Sequence, residues 1–318
     1  TIDAGSGDNI VLGDQGRLSY DASGTITAVT GIDFTAGGVD QITTGADNDL
    51  VIGGTAGDTI KAGDGANVVV GDHADVTFAA GVLAKDTSIA TSVGGDDEIT
   101  TGVGNDLVIG GFGKETLTST GGSDLFIGDS GRVELAANGE ATLAASIDDG
   151  VGDADTITTA GGNDVVIGGT AGDVINAGDG TNLVIGDGGQ VKWTATSATR
   201  PSPDRPIFWA PTGVLAEAKT ATNAGGGADQ ITTGTGADIV LAGHDHLYER
   251  FAPQDADGRA DQARGIREFI VGTGGVVPLY SFTSVKPNSQ LQVRDAHGVL
   301  KLTLQDRKST RLNSSHRT

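Results

Sequence analysis

An acidic or amide side chain recurs every nine residues in this chain, two places ahead of an aliphatic residue, with glycines between. Asp40, Asp49, Asp58 and Asn67 form one run, and Asp97, Asp106, Glu115 and Asp124 a second. Asp155, Asp164, Asp173 and Asn182 form a third, and Asp229 and Asp238 open a fourth that breaks off. Nine residues are too few for a helical hairpin and too regular for a sandwich. They suit one short strand and one tight turn, repeated along a solenoid. With 53 glycines but only 8 Phe, 3 Tyr and 2 Trp in 318 residues, the chain can build thin aliphatic layers and not a thick aromatic core. The glycines are periodic, which marks turns rather than a disordered Gly-rich segment.

Strand alternation gives the number of walls. The residue two after each Asp points inward and its neighbours point outward. After Asp40 the outward pair is Gln41 and Thr43, and after Asp58 it is Thr59 and Lys61. After Asp49 it is Leu50 and Ile52, and after Asn67 it is Val68 and Val70. Polar and apolar outer faces therefore alternate from one unit to the next and return at every second unit, in the second run as well and mostly in the third, where Val174 and Asn176 make a mixed pair. This predicts an all-β, parallel two-sheet β-roll, one sheet wet on its outer face and the other apolar on both faces and needing a cover.

A longer period encloses the short one. Gly-Asp pairs fall at Gly13-Asp14, Gly71-Asp72, Gly128-Asp129 and Gly186-Asp187, at intervals equal to within one position. They mark a module of about 58 residues, repeated nearly four times. Besides its nine-residue units, each module holds a hairpin pattern. Arg132–Leu135 and Ala141–Leu143 flank Asn138-Gly139, a type I′ turn signal, and Arg17–Tyr20 and Thr25–Thr27 flank Asp21–Gly24. These hairpins are expected to fold back over the apolar sheet. Modules are read at about 1–58, 59–115, 116–173 and 174–243 within a repeat array 1–243. The last carries an insertion with Pro201, Pro203, Pro206, Pro211 and Trp209, read as a surface loop.

The formal net charge is −22 and unevenly placed. Of 20 basic and 42 acidic residues, 11 and 8 follow residue 243, leaving 9 and 34 in the array. Such a surface repels phosphate backbones, so nucleic acid is not an expected partner, and it attracts divalent cations. There are no cysteines, which excludes disulfides and thiolate-bound zinc. No transmembrane stretch or signal peptide is visible, and the chain opens in mid-repeat.

The units resemble the RTX (hemolysin-type) nonapeptide, Gly-Gly-x-Gly-x-Asp-x-aliphatic-x. Gly110–Leu117 fits with Glu115 in place of Asp, Gly53–Ile60 with one Gly shifted by a residue, and Thr101–Val108 without the first Gly. The resemblance implies Ca²⁺ between turns on the same edge of the roll, bound by turn carbonyls and by carboxylates of successive coils. Carried over, the ligands are Asp40, Asp49, Asp58, Asp97, Asp106, Asp124, Asp155, Asp164, Asp173, Asp229 and Asp238. Asp49 faces Asn67 and Asp164 faces Asn182, so those pairs have lost a charge, while the longer arm of Glu115 fits poorly against Asp97. The implied role is a structural or adhesive segment of a large secreted or cell-surface protein. Its partners would be calcium ions and a host or matrix surface or other copies of the chain.

At Gly243 the repeat stops. Gly243-His244-Asp245-His246-Leu247-Tyr248-Glu249-Arg250 resembles the last metal-binding motif of calcineurin-like metallophosphoesterases, of the purple-acid-phosphatase-like branch, and residues 244–305 read as such a fragment. The resemblance implies that His244 and His246 each bind one ion of a dinuclear transition-metal centre that activates water. The Asp, Asn and His motifs that complete such a centre are missing, so no catalytic residue is assigned and hydrolysis is not expected of this chain. Residues 306–318 are basic, patternless and expected to be disordered.

Overall fold

The computed structural model describes residues 1–148, 150–196, 214–220, 226, 229–233, 239–242, 247–254, 259–262, 265–271 and 285–293. Among them there are strands and turns and no helix, as the nine-residue period requires.

The chain winds as a coil with two walls. The first is a parallel sheet of Ile2–Gly5, Gln41–Thr44, Thr59–Ala62, Glu98–Val103, Thr116–Gly121, Thr156–Thr158, Val174–Asn176 and Gln230–Thr232. The second runs through Ile10–Leu12, Leu50–Ile52, Val68–Val70, Leu107–Gly111, Leu125–Asp129, Val165–Gly169, Leu183–Asp187 and Ile239–Ala242. Neighbouring parallel strands normally need a long crossover. Here the crossover is the strand of the opposite wall plus two tight turns, so that one full coil takes two nonapeptide units.

Register locks like to like. In the first wall Ile42, Ile60, Ile99, Leu117, Ile157, Ile175 and Ile231 stack in pairing order. In the second, Val11, Val51, Val69, Val108, Phe126, Val166 and Val184 do the same. These two rows meet in the interior, a dry seam one side chain deep on each side.

The apolar outer face of the second wall is covered, as its sequence demands. Four hairpins form one eight-stranded antiparallel sheet: Gly16–Tyr20 with Ile26–Gly31, Asp75–Ala79 with Val82–Thr87, Gly131–Leu135 with Ala141–Ser146, and Gly189–Thr194 with Val214–Thr220. Val29, Val76, Leu83, Val133, Ala144 and Val191 of this cover pack on Leu50, Ile52, Leu107, Ile109, Leu125 and Ile127 in a second core. The molecule is thus three layered sheets with two aliphatic seams. Its wet face is the outside of the first wall, where Gln41, Thr43, Lys61 and Glu98 are exposed.

Two details differ from expectation. The Asn138-Gly139 turn is not type I′, because only Gly139 has positive φ (85°). Gly139 N donates to Ala136 O at 2.8 Å and Ala136 N to Glu140 O at 2.9 Å, which is a type I turn followed by a left-handed glycine. Asn138 Oδ1 accepts the Glu140 amide at 3.1 Å, so its side chain supports the bulge instead of entering the left-handed region. The second wall also continues past residue 243. Arg267–Val271 adds in parallel to Ile239–Ala242, and Tyr248–Phe251 and Ser289–Val293 follow antiparallel. The proline-bearing insertion lies outside the described residues.

Candidate metal centres

The turns place one acidic or amide residue at each corner, and the two edges of the roll differ. At the hairpin edge, where the chain passes from the second wall to the first and the hairpins leave, stand Asp40, Asp58, Asp97, Glu115, Asp155, Asp173 and Asp229. At the plain edge stand Asn9, Asp49, Asn67, Asp106, Asp124, Asp164 and Asn182. Of the predicted ligands, Asp238 lies outside the described residues, as do His244 and His246.

Except at Asp40 and Asn9, which open the two edges, and at Glu115, each corner uses a side-chain oxygen to tie coil to coil. At the hairpin edge the amides of Asp40, Asp58, Glu115, Asp155 and Asp173 donate to Oδ1 of Asp58, Asp97, Asp155, Asp173 and Asp229, at 2.7–3.0 Å. At the plain edge the amides of Asn9, Asp49, Asn67, Asp106, Asp124 and Asp164 donate to Oδ1 of Asp49, Asn67, Asp106, Asp124, Asp164 and Asn182, at 2.8–3.0 Å. The ladder breaks at Glu115, whose two carboxylate oxygens accept nothing. Its extra methylene carries them past the Asp97 amide.

The second side-chain atom separates the corners into kinds. Asn67 Nδ2 donates to Gly63 O at 2.8 Å, Asn182 Nδ2 to Ala177 O at 2.9 Å, and Asn9 Nδ2 to Gly7 O at 2.7 Å. An Asn corner thereby satisfies its own turn carbonyls. Asp124 Oδ2 accepts from Ser119 Oγ at 2.6 Å and Asp164 Oδ2 from Thr159 Oγ1 at 2.7 Å. Thr44 and Thr101 hold the same offset before Asp49 and Asp106 and favour their charged forms, although no hydrogen bond of ordinary geometry closes there. Where the corner is Asn67 or Asn182, the residue at that offset is Ala62 or Ala177. The plain edge therefore pairs Asp with a hydroxyl and Asn with alanine.

The hairpin edge has no such partners. Oδ2 of Asp58, Asp97, Asp155 and Asp173 and both oxygens of Glu115 are buried without a hydrogen bond. An anion so placed is unstable unless it binds a proton or a cation. Burial raises the affinity for protons first, and neighbouring carboxylates add to it: Asp58 is pushed up to about 7 and Asp173 to about 9. Asp97, Glu115 and Asp155 are raised for the same reasons. On the plain edge Asp106 reaches about 6 and Asp124 about 7, with the hydroxyl partners working against burial. Oxygen-only donors, turn carbonyls and uncompensated charge suit a hard divalent cation.

Sequence reasoning missed four residues at the hairpin edge. Asp14, Asp72, Asp129 and Asp187 belong to the Gly-Asp pairs that measure the module, and they stand where the nonapeptide has its second glycine. Asp14 Oδ2 accepts Thr55 N at 2.6 Å, and Asp72 and Asp129 accept Phe112 N and Thr170 N of the following coil in the same way. Burial pushes Asp129 up to about 8, and Asp155 beside it adds to the rise.

The family model of the RTX calcium-binding nonapeptide repeat (4 copies) matches residues 1–17, 34–69, 92–126, 109–132, 158–190 and 223–247. The chain carries RTX calcium-binding nonapeptide repeats. The gaps between matched stretches fall largely on the hairpins of the cover, so the RTX array and its interposed hairpins are separable in sequence as in structure. No curated protein and no solved structure gives a match. Nothing in the comparisons supports a metallophosphoesterase fragment, and the last RTX match runs through residues 244 and 246. Among the described residues no helix is long and apolar enough to cross a membrane.

Proposed function

We propose that this RTX array is a calcium-held structural or adhesive segment of a secreted or cell-surface protein. Calcium would bind the carboxylate corners of the roll, first along the hairpin edge at Asp40, Asp58, Asp97, Asp155, Asp173 and Asp229. Asp49 and Asp106, whose Oδ2 atoms are unpartnered, would be the plain-edge sites. Asp124 and Asp164, already bonded to hydroxyls, would add less, and Asp238 would extend the plain edge. The observation that carries this reading is the contrast between corners. Asn67 and Asn182 close on their own turn carbonyls, whereas Asp49, Asp58, Asp97, Asp106, Asp155 and Asp173 each leave a buried Oδ2 with no donor.

Calcium outside cells is on the order of millimolar, enough to fill the modest sites that extracellular modules use. Binding would be folding, because the ligands converge only when successive coils stack. The surface available to a matrix or another copy is the wet face of the first wall. There Thr43, Lys61, Thr100, Thr118, Thr158, Asn176 and Thr232 form one row in register. The test is calcium titration of the chain followed by circular dichroism and calorimetry. A gain of β-structure with heat of binding is expected, and a chain equally folded in chelator and in calcium overturns the reading.

A further inference from the structure

We propose that Glu115, Asp129 and Asp155 form a three-carboxylate calcium site, distinct from the two-carboxylate corners, that clamps the two ends of a cover hairpin to the roll. The inference rests on the reading that the corners bind calcium. It adds a ligand, Asp129, that lies outside the nine-residue pattern.

The three side chains are 0%, 2% and 1% exposed, and each offers an oxygen within 4.8 Å of the other two. Crowding alone would say little, since buried carboxylates also share protons. The second observation is that four of their six oxygens, both of Glu115, Oδ1 of Asp129 and Oδ2 of Asp155, are buried without a hydrogen bond of ordinary geometry, although Glu115 and Asp155 stand close enough to share a proton when no cation is bound. The other two are committed, Asp155 Oδ1 to the Glu115 amide at 2.8 Å and Asp129 Oδ2 to the Thr170 amide. Glycines let backbone carbonyls crowd beside two of the three carboxylates. A Cβ on Gly128 would stand 2.2 Å from Gly168 O and 2.3 Å from Asp155 Oδ2, so only glycine lets that carbonyl and carboxylate converge. A Cβ on Gly110 would stand 2.0 Å from Gly128 O and 2.7 Å from Glu115 Cγ. Among the described residues the salt bridges all lie elsewhere, at Thr1–Asp40, Arg132–Glu134 and Lys192–Glu217, so none of them neutralises the cluster.

Glu115 now has a reason. Its longer arm misses the amide that an Asp would cap and reaches toward Asp129. The chain order gives the site its effect. Asp129 precedes the hairpin strands Gly131–Leu135 and Ala141–Ser146, and Asp155 follows them. One ion on both closes the excursion at its base and presses the hairpin onto Leu125 and Ile127. One module earlier the equivalent residues Asp58, Asp72 and Asp97 do not converge in this way, and among the described residues the three-carboxylate group is confined to Glu115, Asp129 and Asp155. The charge of three carboxylates makes this the tightest class of site, since ligand charge sets affinity among calcium sites.

The experiment uses the whole chain and calcium itself, with Glu115→Gln and Asp129→Asn compared to wild type by calorimetry and by urea melts in chelator and in calcium. Each variant is expected to lose the tightest binding class, its calcium midpoint rising about tenfold or more. In chelator at neutral pH each should be at least as stable as wild type, because a buried carboxyl that needs a proton or a cation in order to fold is gone. Asp129→Asn keeps an oxygen for the Thr170 amide, and Glu115→Gln removes no bond to the backbone, so a purely structural role predicts a different pattern. Two results overturn the proposal: titrations that superimpose on wild type, or stability lost equally with and without calcium, failure to fold in both included. A wild-type chain that gives no calcium response at all sinks the calcium reading as a whole, and is seen before any variant is made.

Discussion

Removing calcium should make this fold weaken as the pH rises, the reverse of a protein held by paired carboxylates. Asp124 shows the size of the effect. It is 1% exposed, and burial pushes its carboxyl from 3.8 up to about 7. Below about 3.8 both folded and unfolded chains hold the proton and its full stabilisation is present. Between 3.8 and about 7 the folded chain keeps the proton and the unfolded chain has lost it, so each pH unit removes about 1.4 kcal/mol. Going from about pH 5 to about pH 7 therefore removes roughly 3 kcal/mol through this one group, a large part of the stability of an ordinary domain. Asp58, Asp129 and Asp173, raised to about 7, 8 and 9, act in the same sense and carry the loss further up the scale. Calcium reverses the sign by replacing the proton, so its binding must release protons and tighten as pH rises. The assay is urea unfolding by circular dichroism in chelator and in calcium across this range, with calorimetry in buffers of different ionisation heat to count protons. A chelated chain whose stability is flat or rises from about pH 5 to about pH 8 refutes the argument.

Three further outcomes follow from packing, turn geometry and corner chemistry. Phe126, fully buried in the seam between the two walls, should cost about 3–5 kcal/mol when cut to Ala, read from urea melts in calcium. At Gly180 φ is 139° and a Cβ would stand 1.4 Å from Gly162 O, so Gly180→Ala should cost roughly 3 kcal/mol or more. Gly24→Ala, at φ 85° with open space, should cost only about 1 kcal/mol, and the same melts compare the two. Asn67→Asp loses the bond to Gly63 O and should destabilise the calcium-free chain by roughly 1–3 kcal/mol, while adding a calcium equivalent by calorimetry.

The architecture was legible because it follows from parity. Alternation of Gln41-Thr43 with Leu50-Ile52 from unit to unit fixes two walls, and an outer face of Leu107, Ile109, Leu125 and Ile127 cannot be left in water. The hairpin turn type was not legible, since Asn-Gly fits both a type I′ turn and a type I turn with a bulge. Glu115 reads in sequence as a poor copy of Asp; its value appears only beside Asp129, a neighbour made by the fold. The Gly-Asp spacing was visible, but a residue that marks a module gives no sign of facing a corner on the far side of a whole hairpin. The asymmetry of the edges was written in the sequence as Thr or Ser before Asp and Ala before Asn, and it gains meaning only once Ser119 and Thr159 are seen donating.

The cover sheet does more than shield. Its hairpins pair with one another across module boundaries, Lys85 opposite Glu134 and Leu143 opposite Lys192, while both walls are also continuous there. Tension along the array would thus meet three seams sewn side by side, and a single coil could not peel away while the hairpin above it stayed stitched to its neighbours. The quantum of yielding would be a whole module, releasing about 200 Å of slack at once, so that the protein would behave under load as a chain of discrete latches and not as a spring.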